Sequence, residues 1–292
     1  MVNDAGDQAE GLRQILAFSR ARTIAVVAGA RGAGATSCVV NLAWALAAEG
    51  KRVLMIDENG GANIARALGL TPRHDLHDIM SGGCGIEEAL LELGARVKLL
   101  PAGAAARVLP LLDTAAQQRA VACFASLDVE TDVVLLDASN EGQQPSAFAQ
   151  AAQEVIVVVS PGPSSVTGGY AAIKRMTQAH GRGRFRLLVN RASDYATAAL
   201  IHQNMAQVAA KHLDTSVQFM GAVPHDTAVT ESARRNAPVV RIAPRSGAAH
   251  SFIDHATNVA HWAASGQEGS RLDHFMQRAI HGSRFELSGA GA

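Results

Sequence analysis

The sequence predicts an α/β fold, a doubly wound and mostly parallel sheet flanked by helices. Three observations carry this expectation. Short runs of Val, Leu and Ile recur along the chain, Ala-rich segments with helical spacing lie between them, and 48% of the 292 residues are hydrophobic while only 4% are aromatic. A core made of small aliphatic side chains favours helices packed closely on a sheet.

The strand candidates are TIAVVAG from Thr23, RVLMID from Arg52, VKLLPAG from Val97, DVVLLDA from Asp132, EVIVVVSP from Glu154, FRLLVNR from Phe185 and VQFMGAVP from Val217. They are too short for independent helices and too uniformly apolar for half-exposed strands, as parallel strands buried on both faces require. The helical candidates are SCVVNLAWALAAEGK, PSAFAQAAQ, SVTGGYAAIKRMTQAHG and TAALIHQNMAQVAAKHL. Strand and helix alternate, which implies right-handed crossovers and a ligand site at the carboxyl ends of the strands. We therefore expect one large domain over residues 21–265, preceded by a segment of residues 1–20 and followed by a tail, residues 266–292, with a candidate amphipathic helix.

Lys plus Arg and Asp plus Glu number 26 each, so no global charge favours nucleic acid, and no direct nucleic-acid contact is expected. Cys38, Cys84 and Cys123 lack metal-site spacing and read as buried apolar residues of a reducing compartment. None of the 11 histidines has the spacing of a metal-ligand pair. The opening residues do not form a secretory signal, and no run approaches the roughly 18 apolar residues of a membrane span. A cytoplasmic location is the expectation, with peripheral contact at the inner face of the cell membrane as an addition argued below.

After the first strand the chain reads Gly29-Ala30-Arg31-Gly32-Ala33-Gly34-Ala35-Thr36-Ser37 and enters a helix. This matches the phosphate-binding loop GxxxxGK[ST] at every position except the lysine, where Ala35 stands. Gly29, Gly32 and Gly34 let backbone N–H groups turn toward an anion at the positive end of the helix. The same glycines would also open another mononucleotide or dinucleotide loop. Asp57 and Asp137 end strands at the stations where such sites hold Mg²⁺, and Thr36 completes that candidate set. The expected ligands are ATP or ADP with Mg²⁺.

From Thr23 to about Val240 the chain resembles the MinD/ParA family of P-loop ATPases. That family's KGGxGK[ST][ST] falls on Ala30 through Ser37, so both lysines are missing. The resemblance implies that the first lysine would reach a partner's phosphates across a nucleotide-dependent homodimer and that the second would hold the β- and γ-phosphates. The family's DxDxG segment meets Asp57-Glu58-Asn59-Gly60-Gly61, placing an amide where the water-orienting acid is expected. Asn190, Arg191 and Pro224 resemble the family's adenine-recognition positions. Losing these charged groups removes several kcal/mol of positioning and charge stabilisation, so hydrolysis should be slow or absent while binding persists weakly. Arg31 is a candidate substitute charge. Glu58 is expected to point elsewhere on an extended segment.

The segment Asp7-Gln8-Ala9-Glu10-Gly11-Leu12-Arg13 resembles the DQAxxLR element of the FlhG (FleN) family, regulators of flagellar number and placement. The resemblance implies that Asp7, Gln8, Ala9, Leu12 and Arg13 contact an FlhF-like signal-recognition-type GTPase and stimulate it, with further partners among flagellar basal-body components or transcriptional regulators. Near the other end, Leu272, Phe275, Met276, Ala279 and Ile280 share one helical face beside Arg271, Arg278 and Arg284. That face is either a reversible anchor for anionic lipid, as the resemblance implies, or the cover of an apolar groove on the body. Alternatives for the whole chain are an active MinD/ParA-type ATPase for partitioning or positioning of cellular cargo, in which Arg31 and Glu58 substitute for the missing groups, and a nucleotide-free scaffold.

Overall fold

In the computed structural model, residues 21–138, 145–262 and 271–289 are described. The strands are β1 (Arg22–Ala28), β2 (Val53–Asp57), β3 (Leu91–Gly94), β4 (Val97–Pro101), β5 (Val133–Asp137), β6 (Glu154–Val159), β7 (Arg184–Ala192) and β8 (Ser216–Pro224). They form one sheet in the order β3-β4-β2-β5-β1-β6-β7-β8. The helices are α1 (Ala35–Ala48), α2 (Asn63–Ala67), α3 (Leu76–Ser81), α4 (Ile86–Ala89), α5 (Gly103–Val108), α6 (Thr114–Leu127), α7 (Ala147–Ala151), α8 (Pro163–His180), α9 (Tyr195–Leu213), α10 (Thr227–Arg234), α11 (Val239–Ile242), α12 (Gly247–His261) and α13 (Leu272–Gly289).

Every strand pair is parallel except β3 with β4. β3 was not among the expected strands because Leu91-Glu92-Leu93-Gly94 alternates and stays half-exposed at the sheet edge, unlike the continuous apolar runs of the interior. Burial on both faces follows the strand period of two. In β1, Ile24 and Val26 join Leu42, Leu46 and Phe252 on one side, while Ala25 and Val27 join Phe124, Phe148 and Ile173 on the other. The chain moves from β1 to β2 on one side and later to β6, β7 and β8 on the other, so the direction of winding reverses at β1. A crevice opens at that point, and the loop after β1 lies in it.

The C-terminal segment answers the question about its apolar face. Leu272, Phe275, Met276 and Ala279 are fully buried and Ile280 is 6% exposed, all in the core shared with α6 and α7. The Phe275 ring lies 5.9 Å from Phe124 and 6.1 Å from Phe148. Asp128 Oδ1 accepts from the Leu272 N–H at 3.0 Å, and the Arg278 guanidinium donates to the Ala151 carbonyl at 3.1 Å. Leu272, Phe275, Met276 and Ile280 are therefore turned inward and do not face a lipid surface in this arrangement. Exposing four such side chains costs about 6–12 kcal/mol, comparable to the ~5–15 kcal/mol that holds a whole domain folded. No helix among the described residues is long and apolar enough to cross a membrane.

Candidate nucleotide site

β1 ends at Ala28, and the chain turns back through glycines to start α1. The Gly29 N–H donates to the Val158 carbonyl at 2.8 Å, tying the loop to β6. Gly34 has φ +96°, a left-handed conformation open to glycine, and no side chain caps α1 behind it. The positive end of a 14-residue helix thus faces the crevice without a carboxylate of its own.

Two neighbours grip the loop backbone. From β7, Asn190 Nδ2 donates to the Ala33 carbonyl at 2.8 Å, the Asn190 Oδ1 accepts from the Arg191 N–H at 3.0 Å, and the Arg191 guanidinium donates to the Gly32 carbonyl. From α8, Gly168 comes so close that any Cβ there would overlap the Gly29 carbonyl oxygen. Asn190 and Arg191 thus hold the loop from behind. Neither lines the cavity in front of it, and neither does Pro224 at the end of β8. In this arrangement Asn190 and Arg191 donate to loop carbonyls, and adenine contact by these three residues stays an expectation from the resemblance.

The cavity has a volume of about 950 Å³, at the upper end of the range of small-molecule sites. Gly29, Arg31, Gly32, Gly34, Ala35, Thr36 and Ser37 line it, together with Asn59 and Asp137. Among the described residues, no lysine is on its wall. The loop residues singled out from the sequence thus form one side of this cavity, with Arg31 among them.

Three acids cluster beneath. Strand register sets Asp57 beside Asp137, both almost fully buried, with Glu58 next to them. Burial pushes the Asp137 carboxyl up to about 8, helped by the charges of Asp57 and Glu58 and opposed by the Thr36 hydroxyl, which donates to Asp137 Oδ2 at 2.7 Å. Burial also raises Asp57. A carboxyl and a hydroxyl at the crevice floor form an oxygen-only donor pair, and a divalent cation would relieve the cost of ionising that buried acid, so Thr36 and Asp137 fit Mg²⁺.

Asp57 is placed differently from the expectation. Its Oδ2 accepts from the Ile64 N–H at 2.7 Å, and its Oδ1 accepts from the Asn59 N–H and side-chain amide at 3.0 and 3.2 Å. It does not line the main cavity, because its oxygens are turned to the segment that leads into α2. Asn59 does reach the cavity, and its Nδ2 also donates to the Asp137 carbonyl at 3.2 Å. An amide engaged in this way cannot take a proton from water. Glu58, as expected, points elsewhere: it is 2% exposed and its Oε2 accepts from Ser146 Oγ at 2.6 Å. The candidate partner residues Asp7, Gln8, Ala9, Leu12 and Arg13 lie outside the described residues.

Sequence reading did not find Arg66 on α2, Arg175 on α8 or Gly168, all of which line the cavity. The two glycines inside an otherwise helical run, Gly168 and Gly169, were a legible sign of close backbone approach. Asp75, His77 and Asp78 also bring ligand-type atoms within 4.8 Å of one another. Their carboxylates are engaged in the capping box of α3, where the Asp75 side chain accepts from the His77 N–H at 2.8 Å and Asp78 Oδ2 accepts from the Asp75 N–H at 2.9 Å.

With this geometry in place, the model of the CobQ/CobB/MinD/ParA nucleotide binding domain matches residues 24–239. The chain belongs to that family. Among relatives within the MinD/ParA group, the antiactivator FleN of Pseudomonas aeruginosa is 32% identical over 271 residues, 92% of this chain and 97% of its own length. The flagellum site-determining protein YlxH of Helicobacter pylori is 22% identical, covering 76% of each chain. The MinD fold is also evident in the solved septum site-determining protein MinD of Pyrococcus horikoshii, complexed with Mg-ADP. That structure superposes with a TM-score of 0.62 at 23% identity, over 82% of this chain and 96% of that one.

Proposed function

We propose that this MinD/ParA-family chain is a flagellar regulator of the FleN/FlhG type that works by binding partners, with a nucleotide site that binds weakly and hydrolyses slowly or not at all. One observation supports the second half most directly. The loop backbone, the cavity and the Thr36–Asp137 pair are intact, while Ala30, Ala35 and Asn59 stand where charged groups of the family's pattern belong. The flagellar process is favoured by the relatives named antiactivator FleN and flagellum site-determining protein YlxH.

Asp7, Gln8, Ala9, Leu12 and Arg13 would engage an FlhF-like GTPase, and a transcriptional regulator or a flagellar basal-body component is a second class of partner. ATP or ADP with Mg²⁺ at Gly29–Ser37, Thr36 and Asp137 would set the state in which partners, or a second copy of the chain, are met. Peripheral membrane attachment through α13 would require the helix to leave its groove.

Calorimetry of the full chain with Mg-ATP and ADP, together with a turnover assay, tests the site. Binding without turnover is expected. Measurable turnover would favour an active ATPase, although Glu58 faces Ser146 and is poorly placed to serve as its base. Absence of binding would favour a scaffold. A peptide of residues 1–20 should accelerate GTP hydrolysis by the cognate GTPase, and Gln8→Ala should abolish the effect; an inert wild-type peptide rules out the GTPase as the target.

A further inference from the structure

The cavity has lost the loop lysine, yet its wall is not short of positive charge. Among the described residues, Arg31, Arg66 and Arg175 line it, against Asp137 as the one acid on the wall. Arg66 and Arg175 come from helices rather than from the loop. α2 follows β2 and α8 follows β6, and these strands lie on opposite sides of β1 in the sheet, so the two arginines flank the loop. Arg66 Nη2 donates to Asn63 Oδ1 at 2.6 Å, and its Nη1 lies 3.5 Å from where a Cβ on Gly61 would sit. Its guanidinium is thereby held beside the segment that ends β2. Arg175 is seven residues, two helical turns, beyond Gly168 and shares its face of α8, the face pressed on the Gly29 carbonyl. Neither arginine forms an ion pair with an acid among the described residues.

We propose that Arg66 and Arg175 bind the phosphate chain of a nucleoside polyphosphate from the two sides of the loop, taking over the charge role of the lysine absent at position 35. A guanidinium suits the task because its planar fork meets phosphate oxygens in pairs, and it stays charged at every physiological pH. Placing cations on two flanking helices also changes what is sensed. The α2 arginine moves with the segment anchored on Asp57, and the α8 arginine moves with the helix that grips Gly29. A bound polyphosphate therefore ties these two elements together across the loop. This inference rests on reading the cavity as a nucleotide site.

The test is calorimetry of the full chain with Mg-ATP and, separately, with inorganic tripolyphosphate, on wild type, Arg66→Gln, Arg175→Gln, the double variant and Arg66→Lys. Each Gln variant is expected to weaken both ligands by about tenfold, the size of one charge-assisted hydrogen bond. The double variant should lose roughly the product, and the salt dependence of binding should flatten. Arg66→Lys should recover part of the loss, which separates charge from any effect on folding, and unliganded melting temperatures should match wild type. If wild type binds both ligands and the Gln variants bind equally well, the arginine assignment is wrong and the nucleotide reading stands. If tripolyphosphate binds in an arginine-dependent way and ATP binds no tighter, the arginine assignment holds and base recognition falls. If wild type binds neither, both fall.

Discussion

The loop after β1 and the groove under α13 are both places where a separate piece of the chain is held against the sheet, but different forces hold them. The loop is fixed by polar contacts of defined geometry: Asn190 and Arg191 on its carbonyls, and Gly168 against the Gly29 backbone. The helix is fixed by area, with Phe275 between Phe124 and Phe148 and five apolar side chains out of water. Geometric grip tolerates loss of side-chain charge inside the site, since it never depended on it. Apolar grip tolerates small rotations but not truncation.

The sharpest way to break this contrast is Phe275→Ala. It should cost about 3–5 kcal/mol of stability by denaturant unfolding, and ligand affinity measured on the folded fraction should be unchanged. A matching loss of affinity would show that groove and loop are coupled. Next, Gly168→Ala should cost about 1–3 kcal/mol by overpacking and should lower nucleotide affinity more than any truncation on α13. Normal affinity in that variant would mean that α8 is not part of the grip.

A pH-dependent effect concerns Asp137. Its folded carboxyl titrates near 8, against an ordinary value of 3.8, so between those values the native chain holds a proton that the unfolded chain has released. Its contribution to stability therefore falls as pH rises through that window, by at most about 1.4 kcal/mol per pH unit. Asp137→Asn should flatten this slope in melting curves between pH 6 and 8, and Mg²⁺ should flatten it in wild type. An unchanged slope in the variant would assign the pH dependence to other groups.

The interior of the fold was legible because its signals are local. Continuous runs such as Glu154–Val159 can be buried only as central strands, and the glycines from Gly29 to Gly34 have few uses before a helix. What escaped was whatever depends on neighbours distant in sequence. Leu91 to Gly94 forms a strand only because β4 offers an edge. The apolar face of α13 reads the same whether lipid or Phe124 covers it. At the site, sequence places Asn190 and Arg191 near the loop but does not show that they donate to its carbonyls. Arg66 and Arg175 carry no motif; only the winding of the sheet brings them to one cavity.

Asn59 is more than a missing acid. Its amide bridges the Asp57 carboxylate and the Asp137 carbonyl, two acceptors that an aspartate at the same place would repel. The amide therefore helps to join the tips of β2 and β5, and Asn59→Asp would weaken that junction by setting a further negative charge against both acceptors.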